Sequence, residues 1–172
     1  EPLADFFDIF YIGEGETVFY ELMDRYKQWK AAGKTKQQFL EMAAEIPGLY
    51  VPVFYDVEYK EDGTISSFTP NTEDIPETIT KELVLDLSDT VYPEKPLVPY
   101  IKATQDRVVL EIQRGCIRGC RFCQAGMIYR PVRERSLEFL KDKAIKMLKN
   151  TGHEEISLSS LSSSDYSRLP EL

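Results

Sequence analysis

Outside one eight-residue stretch the chain has no cysteine; its three lie at Cys116, Cys120 and Cys123. An odd number, so crowded, cannot build a disulfide framework, and this points to a reducing cytoplasm. No run of ~18 apolar residues occurs, which excludes a membrane-spanning helix. Glu1-Pro2-Leu3-Ala4-Asp5 has neither the basic start nor the apolar core of a secretory signal. Methionine is missing from the first position, so the expectation is an excerpt of a longer protein. Histidine occurs once, at His153. Basic residues are in deficit, 21 Lys and Arg against 29 Asp and Glu, which speaks against the basic footprint of a nucleic-acid-binding domain. The whole chain, 42% hydrophobic with mean hydropathy −0.34, has the composition of a soluble globular protein. At 172 residues it has room for one domain or pieces of two.

The charge deficit is uneven. From Arg107 to Arg135 seven arginines meet only Glu111 and Glu134, a net +5, which leaves −13 for the rest of a chain whose total is −8. Two readings stand side by side. The arginines pair with acidic residues, or they offset anionic thiolates and face a phosphate- or carboxylate-bearing ligand.

Taken in order, Phe6 to Ile12 is apolar and aromatic and is expected to be a strand. Gly13-Glu14-Gly15-Glu16 then turns into a helix with Val18, Phe19, Leu22, Met23, Tyr26 and Trp29 on one face. Strand, glycine turn and helix make one β/α unit of a parallel α/β domain. Such a turn can cradle phosphate, but two carboxylates disfavour an anion, so a structural role is preferred. Gly33 ends the helix. Thr35 caps a second one with Gln38 completing a capping box, and Phe39, Leu40, Ala43 and Ile46 form its buried side up to Pro47-Gly48. Val51, Val53, Tyr55, Val57 and Tyr59 alternate, Asp62-Gly63 turns, and Thr64 to Phe68 returns as a β-hairpin. Five prolines between Pro70 and Pro99 mark an extended connector, with a short strand at Leu83, Leu85 and Leu87.

From Arg107 the pattern is regular again. Val108 to Ile112 is a short strand feeding the cysteines. A helix is expected from Ser136, its N-cap, to Asn150, with Gly152 as the stop. Leu137, Leu140, Ala144, Met147 and Leu148 form its buried stripe, and a strand follows over Glu155–Ser159. This is a βαβ unit with parallel strands. Function in such sheets gathers beyond the C-terminal strand ends, where the cysteines and Ser159–Ser164 both fall.

The residues leave three readings of Cys116-Ile117-Arg118-Gly119-Cys120-Arg121-Phe122-Cys123 open. Zinc would take the three thiolates with His153 as fourth ligand, though a whole helix lies between. An electron-transfer cluster would normally want four cysteines. A 4Fe–4S cluster held by three thiolates, on a loop loosened by Gly115 and Gly119, leaves one iron open for chemistry.

The CxxxCxxC spacing with Phe122 before the last cysteine resembles the signature of the radical S-adenosylmethionine (radical SAM) enzymes. Arg107-Val108-Val109-Leu110-Glu111-Ile112-Gln113-Arg114-Gly115-Cys116 is similar to the first barrel strand of members with an N-terminal cobalamin-binding domain. Arg118 to Gly126, Tyr129 to Arg135, Ser157 to Tyr166 and the turn at Gly13–Glu16 resemble one bacterial subgroup of them. The fold implied is α/β. Residues 1–32 would end a cobalamin-binding-type Rossmann-like domain, 33–106 would be helix, β-hairpin and connector, and 107–172 would begin a partial TIM barrel. Cys116, Cys120 and Cys123 would ligate a 4Fe–4S cluster and Phe122 would lie against the adenine of S-adenosylmethionine. Ser159 and Ser160 stand where many members have a Gly-Gly-Glu that holds the methionine amine. The cobalamin-ligating Asp-x-His-x-x-Gly pattern is absent, so cobalamin is expected only in the full-length protein. The activity implied is reductive cleavage of S-adenosylmethionine, with a flavodoxin or ferredoxin as reductant. Methyl or methylthio transfer to RNA or protein is the outcome that family analogy suggests. The 172 residues alone are expected to be inactive. The alternative is a noncatalytic module stabilised by zinc or a cluster. For Phe122, ordinary loop packing competes with the adenine role. For Tyr129, Arg130, Arg133 and Arg135, structural pairing is preferred over substrate contact, and His153 reads as a surface residue.

Overall fold

The structure, a computed structural model, describes residues 2–101 and 104–172. It separates into two units, Glu1–Val84 and Leu85–Leu172. Each is a mixture of helices and two-stranded sheets, and no described helix is long and apolar enough to cross a membrane.

In the first unit the expected strand over Phe6–Ile12 contracts to β1 (Phe10–Tyr11). Phe6 and Phe7 are exposed, Phe6 at the end of a turn and Phe7 in irregular chain. The strand is not part of a parallel ladder. It pairs antiparallel with β2 (Leu49–Tyr50), and the parallel contact is a single bridge from Gly13 to Glu82. Two successive helices, α1 (Gly15–Ala31) and α2 (Lys36–Ala44), cause this by bringing the chain back beside its start. Thr35 caps α2 as expected, its hydroxyl accepting from Gln38 N–H while the Gln38 side chain accepts from Thr35 N–H. Gly33 and Gly48 take positive φ in the turns on either side. The helices meet through Tyr26, Trp29 and Phe39, whose ring centroids lie 5.2–5.7 Å apart, and through Arg25, which reaches Glu45 and the Met42 carbonyl. Of the face expected on α1, Val18 is buried and Phe19 is exposed.

The hairpin is present as β3 (Tyr55–Tyr59) and β4 (Ile65–Pro70). Its first half starts later than the alternation suggested, because Pro52–Phe54 winds into a 3₁₀ turn. Proline fixes φ and has no N–H to give a ladder. Tyr55 stacks on Phe68 at 4.7 Å. No strand forms at Leu83, Leu85 and Leu87 among the described residues; Leu87–Asp89 is a 3₁₀ turn instead. The backbone there is already engaged. Glu82 bonds to Ile12 and Glu14, and Val84 N–H donates to the Glu14 carboxylate.

The second unit follows the expected order. β5 (Val108–Glu111) and β8 (Ile156–Ser159) are parallel neighbours, in register from Val108 opposite Ile156 to Glu111 opposite Ser159. Between them lie β6 (Gln113–Arg114), α3 (Gln124–Ile128), β7 (Arg133–Glu134) and α4 (Leu137–Thr151). Ser136 caps α4 by accepting from Phe139 N–H, and Gly152 ends it with a left-handed φ of 75°. Val108 and Leu110 of β5, and Ile112 just after it, are buried against Leu140, Met147 and Tyr166. Truncating a side chain as enclosed as Leu140, 0% exposed, costs about 3 kcal/mol.

Candidate cofactor site

The cysteines sit on an excursion between β6 and β7, which pair antiparallel at its neck, Gln113 opposite Glu134 and Arg114 opposite Arg133. Gly115 opens the excursion with φ +83°. A Cβ there would stand 2.5 Å from the Pro131 carbonyl oxygen and 2.7 Å from that of Tyr129. Only glycine allows both the backbone angle and that approach. Gly119 differs: a Cβ there meets nothing within 4 Å. Arg133 closes the neck from beneath, its guanidinium donating to the Pro131 and Tyr129 carbonyls at 3.1 and 3.3 Å.

The three thiols are free and differ in exposure. Cys116 is buried, Cys123 half-buried and Cys120 exposed. Arg118 N–H donates to Cys116 Sγ at 3.4 Å, and Gly126 N–H to Cys123 Sγ at the same distance, so Cys123 caps the short helix α3. The structure thus brings the three cysteines onto one loop, but no three His, Cys, Asp or Glu among the described residues are gathered in metal-holding geometry. The donor set is nevertheless soft and sulfur-rich, which fits an iron–sulfur centre or zinc and excludes a Ca²⁺- or Mg²⁺-type oxygen cage.

His153 is placed where it cannot complete a zinc site with these thiols. It precedes β8 and lies 3.7 Å from Asp106, just ahead of β5. Both are at the N-terminal end of the strand pair, whereas the cysteines follow its C-terminal end. Its side chain is mostly covered rather than a free surface group, 15% exposed.

The serine-rich turn after β8 stands at the same end as the cysteines. Ile112 N–H donates to the Ser159 carbonyl at 3.1 Å, and Gln113 Nε2 to the Ser162 carbonyl at 2.7 Å. Ser160 Oγ lies 3.0 Å from Ser163 Oγ and accepts from Ser162 N–H, while Ser159 is exposed. Phe122 is 91% exposed on the cysteine loop, so ordinary loop packing does not account for it.

Pairing accounts for most of the arginine excess. Arg118 forms a two-pronged pair with Asp165, Arg114 and Arg135 share Glu111, and Arg107 lies 3.8 Å from Glu155. Arg135 is the structural member among them. It is 3% exposed, bonds to Glu111, Thr90 and the Leu87 carbonyl, and its guanidinium lies over Tyr92 and Phe139. Burial works against the Glu111 carboxylate, but its bonds to Arg114 and Arg135 outweigh this and hold its pKa below the usual range. Arg118, Asp165 and Gln113 are the residues that sequence reasoning passed over. The available signals were an arginine inside the cysteine motif and an aspartate just beyond the serine run.

Two regions match protein families. Residues 1–52 match the family described as radical SAM proteins, N-terminal, and residues 110–172 match the radical SAM superfamily. Across 173 aligned residues the chain is 29% identical to an uncharacterized protein of Methanocaldococcus jannaschii. The alignment takes in 99% of this chain and 31% of that relative, so the chain spans about a third of the relative's length. No solved structure matches significantly.

Proposed function

From a chain that belongs to the radical SAM superfamily, we propose that Cys116, Cys120 and Cys123 hold a 4Fe–4S cluster with one iron left for S-adenosylmethionine. The observation that carries this is three free thiols on one loop beyond the C-terminal ends of two parallel strands, inside the region matched by the superfamily. When bound, such a cluster supplies the electron that splits the sulfonium C–S bond of S-adenosylmethionine into methionine and a 5′-deoxyadenosyl radical.

The chain's own residues hold and shape that site. Gly115 and the β6–β7 neck fix where the loop leaves the sheet. The amides of Arg118 and Gly126 donate to two of the sulfurs, Cys116 and Cys123 Sγ. Phe122, exposed on the loop, is the proposed platform for the adenine. Ser159, the last residue of β8, and Ser160, in the turn after it, are the proposed polar contacts for the methionine end of the cofactor.

The proposal extends to the longer protein as an enzyme that uses a flavodoxin or ferredoxin as reductant in a reducing cytoplasm. Methyl or methylthio transfer to RNA or protein is its proposed outcome, on family analogy alone. Residues 107–172 are proposed as the start of a partial barrel, 33–106 as the connector, and 1–32 as the end of a cobalamin-binding-type domain. For that last segment the support is the strand–turn–helix order, set against an antiparallel partner for β1.

The experiment is anaerobic reconstitution of the full-length protein with iron and sulfide, then EPR after dithionite reduction. A 4Fe–4S signal that changes shape on adding S-adenosylmethionine is the expected result. Uptake of one zinc and no cluster would overturn it and leave a noncatalytic, zinc-stabilised module.

A further inference from the structure

Arg118 lies between the first two cysteines, and its guanidinium, carbonyl and amide are all engaged. The guanidinium forms the two-pronged pair with Asp165, Nε reaching Oδ2 at 2.9 Å and Nη2 bonding Oδ1. The carbonyl accepts from Arg130 Nη2 at 3.3 Å. The amide is thereby left pointing at Cys116 Sγ. Asp165 is itself fixed: its side chain is 12% exposed and Oδ2 also accepts from Ser162 Oγ at 2.7 Å. The same turn is tied to the sheet through Gln113 and the Ser162 carbonyl, and Gln113 is 3% exposed. Two segments 47 residues apart in sequence are therefore joined by a planar, directional contact.

We propose that Asp165 is a positioning residue that acts through Arg118, clamping the cysteine loop to the serine turn so that the Arg118 amide stays aimed at the Cys116 sulfur. The inference rests on the cluster reading above. A surface ion pair adds little stability, so the worth of this one lies in geometry. At Gly119, in the middle of the loop, a Cβ would meet nothing within 4 Å, so packing does not hold the loop at that point. Outer partners of this kind orient metal ligands and tune the centre they hold. An N–H aimed at a ligating sulfur also raises the reduction potential of an iron–sulfur centre, because it stabilises the added negative charge.

Four forms of the full-length protein test it: wild type, Asp165→Asn, Arg118→Asp, and the double reversal Arg118→Asp/Asp165→Arg. Two readouts are taken, amide hydrogen exchange over residues 116–123 in the metal-free chain, and iron per chain with midpoint potential after reconstitution with iron and sulfide. Each single variant is expected to exchange this segment faster and to bind iron about tenfold more weakly, with a more negative potential. The double reversal should recover both, which independent structural roles for the two side chains would not produce. Unchanged exchange in the single variants overturns the clamp. Faster exchange with wild-type iron loading and potential also overturns it, reducing the pair to a surface contact. If wild type itself takes up no iron, the cluster reading fails and the role of the clamp with it, a result distinct from the other two because there wild type loads.

Discussion

Two glycine turns in this molecule invite the same interpretation, one in each unit. Gly13–Glu16 leads from β1 into α1, and Gly115–Cys123 leads from β6 into α3. Both hold a glycine at positive φ pressed against backbone, Gly13 on Glu82 and Gly115 on Pro131 and Tyr129. They differ in what becomes of the remaining groups. In the first turn the shown bonds of Glu14 serve the fold: its N–H donates to the Glu82 carbonyl, and Oε2 accepts from Val84 N–H. In the second, three thiols remain free with two backbone amides turned toward them. A turn that spends its polar groups on its own unit is a joint. One that keeps them in reserve is a candidate site.

Substitutions can break or sharpen this contrast. The largest effect is expected from Cys116→Ser, Cys120→Ser or Cys123→Ser, each of which should abolish stable cluster uptake measured as iron per chain. Glu14→Gln in the other turn should leave iron uptake at the wild-type level. If the Glu14 variant lost iron, the division between the two turns would fall.

The next effect is shared and then separates. Alanine at Gly115 or at Gly13, where a Cβ would stand 2.6 Å from the Glu82 nitrogen, combines a left-handed backbone with a close contact. Each should cost about 3 kcal/mol in urea denaturation. Only Gly115→Ala should also lower iron uptake. Smaller is the cost of Glu14→Gln itself, about 1 kcal/mol, since a charge-assisted bond to Val84 N–H becomes a neutral one.

The smallest effect concerns pH. Bonds from Arg118, and then from Ser162, hold the Asp165 carboxyl below the usual range. A carboxyl depressed in the folded state contributes fully above its unfolded value of about 4 and loses that contribution as pH falls through the folded value. Protection of amides 116–123 should therefore be flat from pH 7 to 5 and decline below about 4. In Asp165→Asn that decline should be absent, and protection factors by hydrogen exchange report both.

Much of the second unit was legible because its signals are local. Ser136 and Gly152 delimit α4 within a residue of expectation, and the alternation of Val108, Leu110 and Ile112 marks a strand with one buried face. The first unit misled where the outcome depended on partners. Phe6–Ile9 has strand-forming residues but no strand beside it among the described residues, and the alternating leucines from Leu83 to Leu87 follow backbone already bonded to the Gly13–Glu14 turn. Val51–Phe54 was lost to a purely local cause, Pro52. At the site, spacing alone put three thiols on one loop, but no spacing pairs Arg118 with Asp165.

What the sequence by itself determined is the chemistry on offer: three soft ligands in eight positions, a glycine to let the chain in, and a strand–helix–strand frame to carry them. These follow from side-chain type and short-range geometry. The tertiary structure decided which cysteine is buried, that His153 lies at the opposite strand end from them, and which carboxylate holds the loop. Those outcomes depend on where the β5–β8 register brings distant segments together. Register is a property of the assembled sheet, which no single stretch of the chain carries.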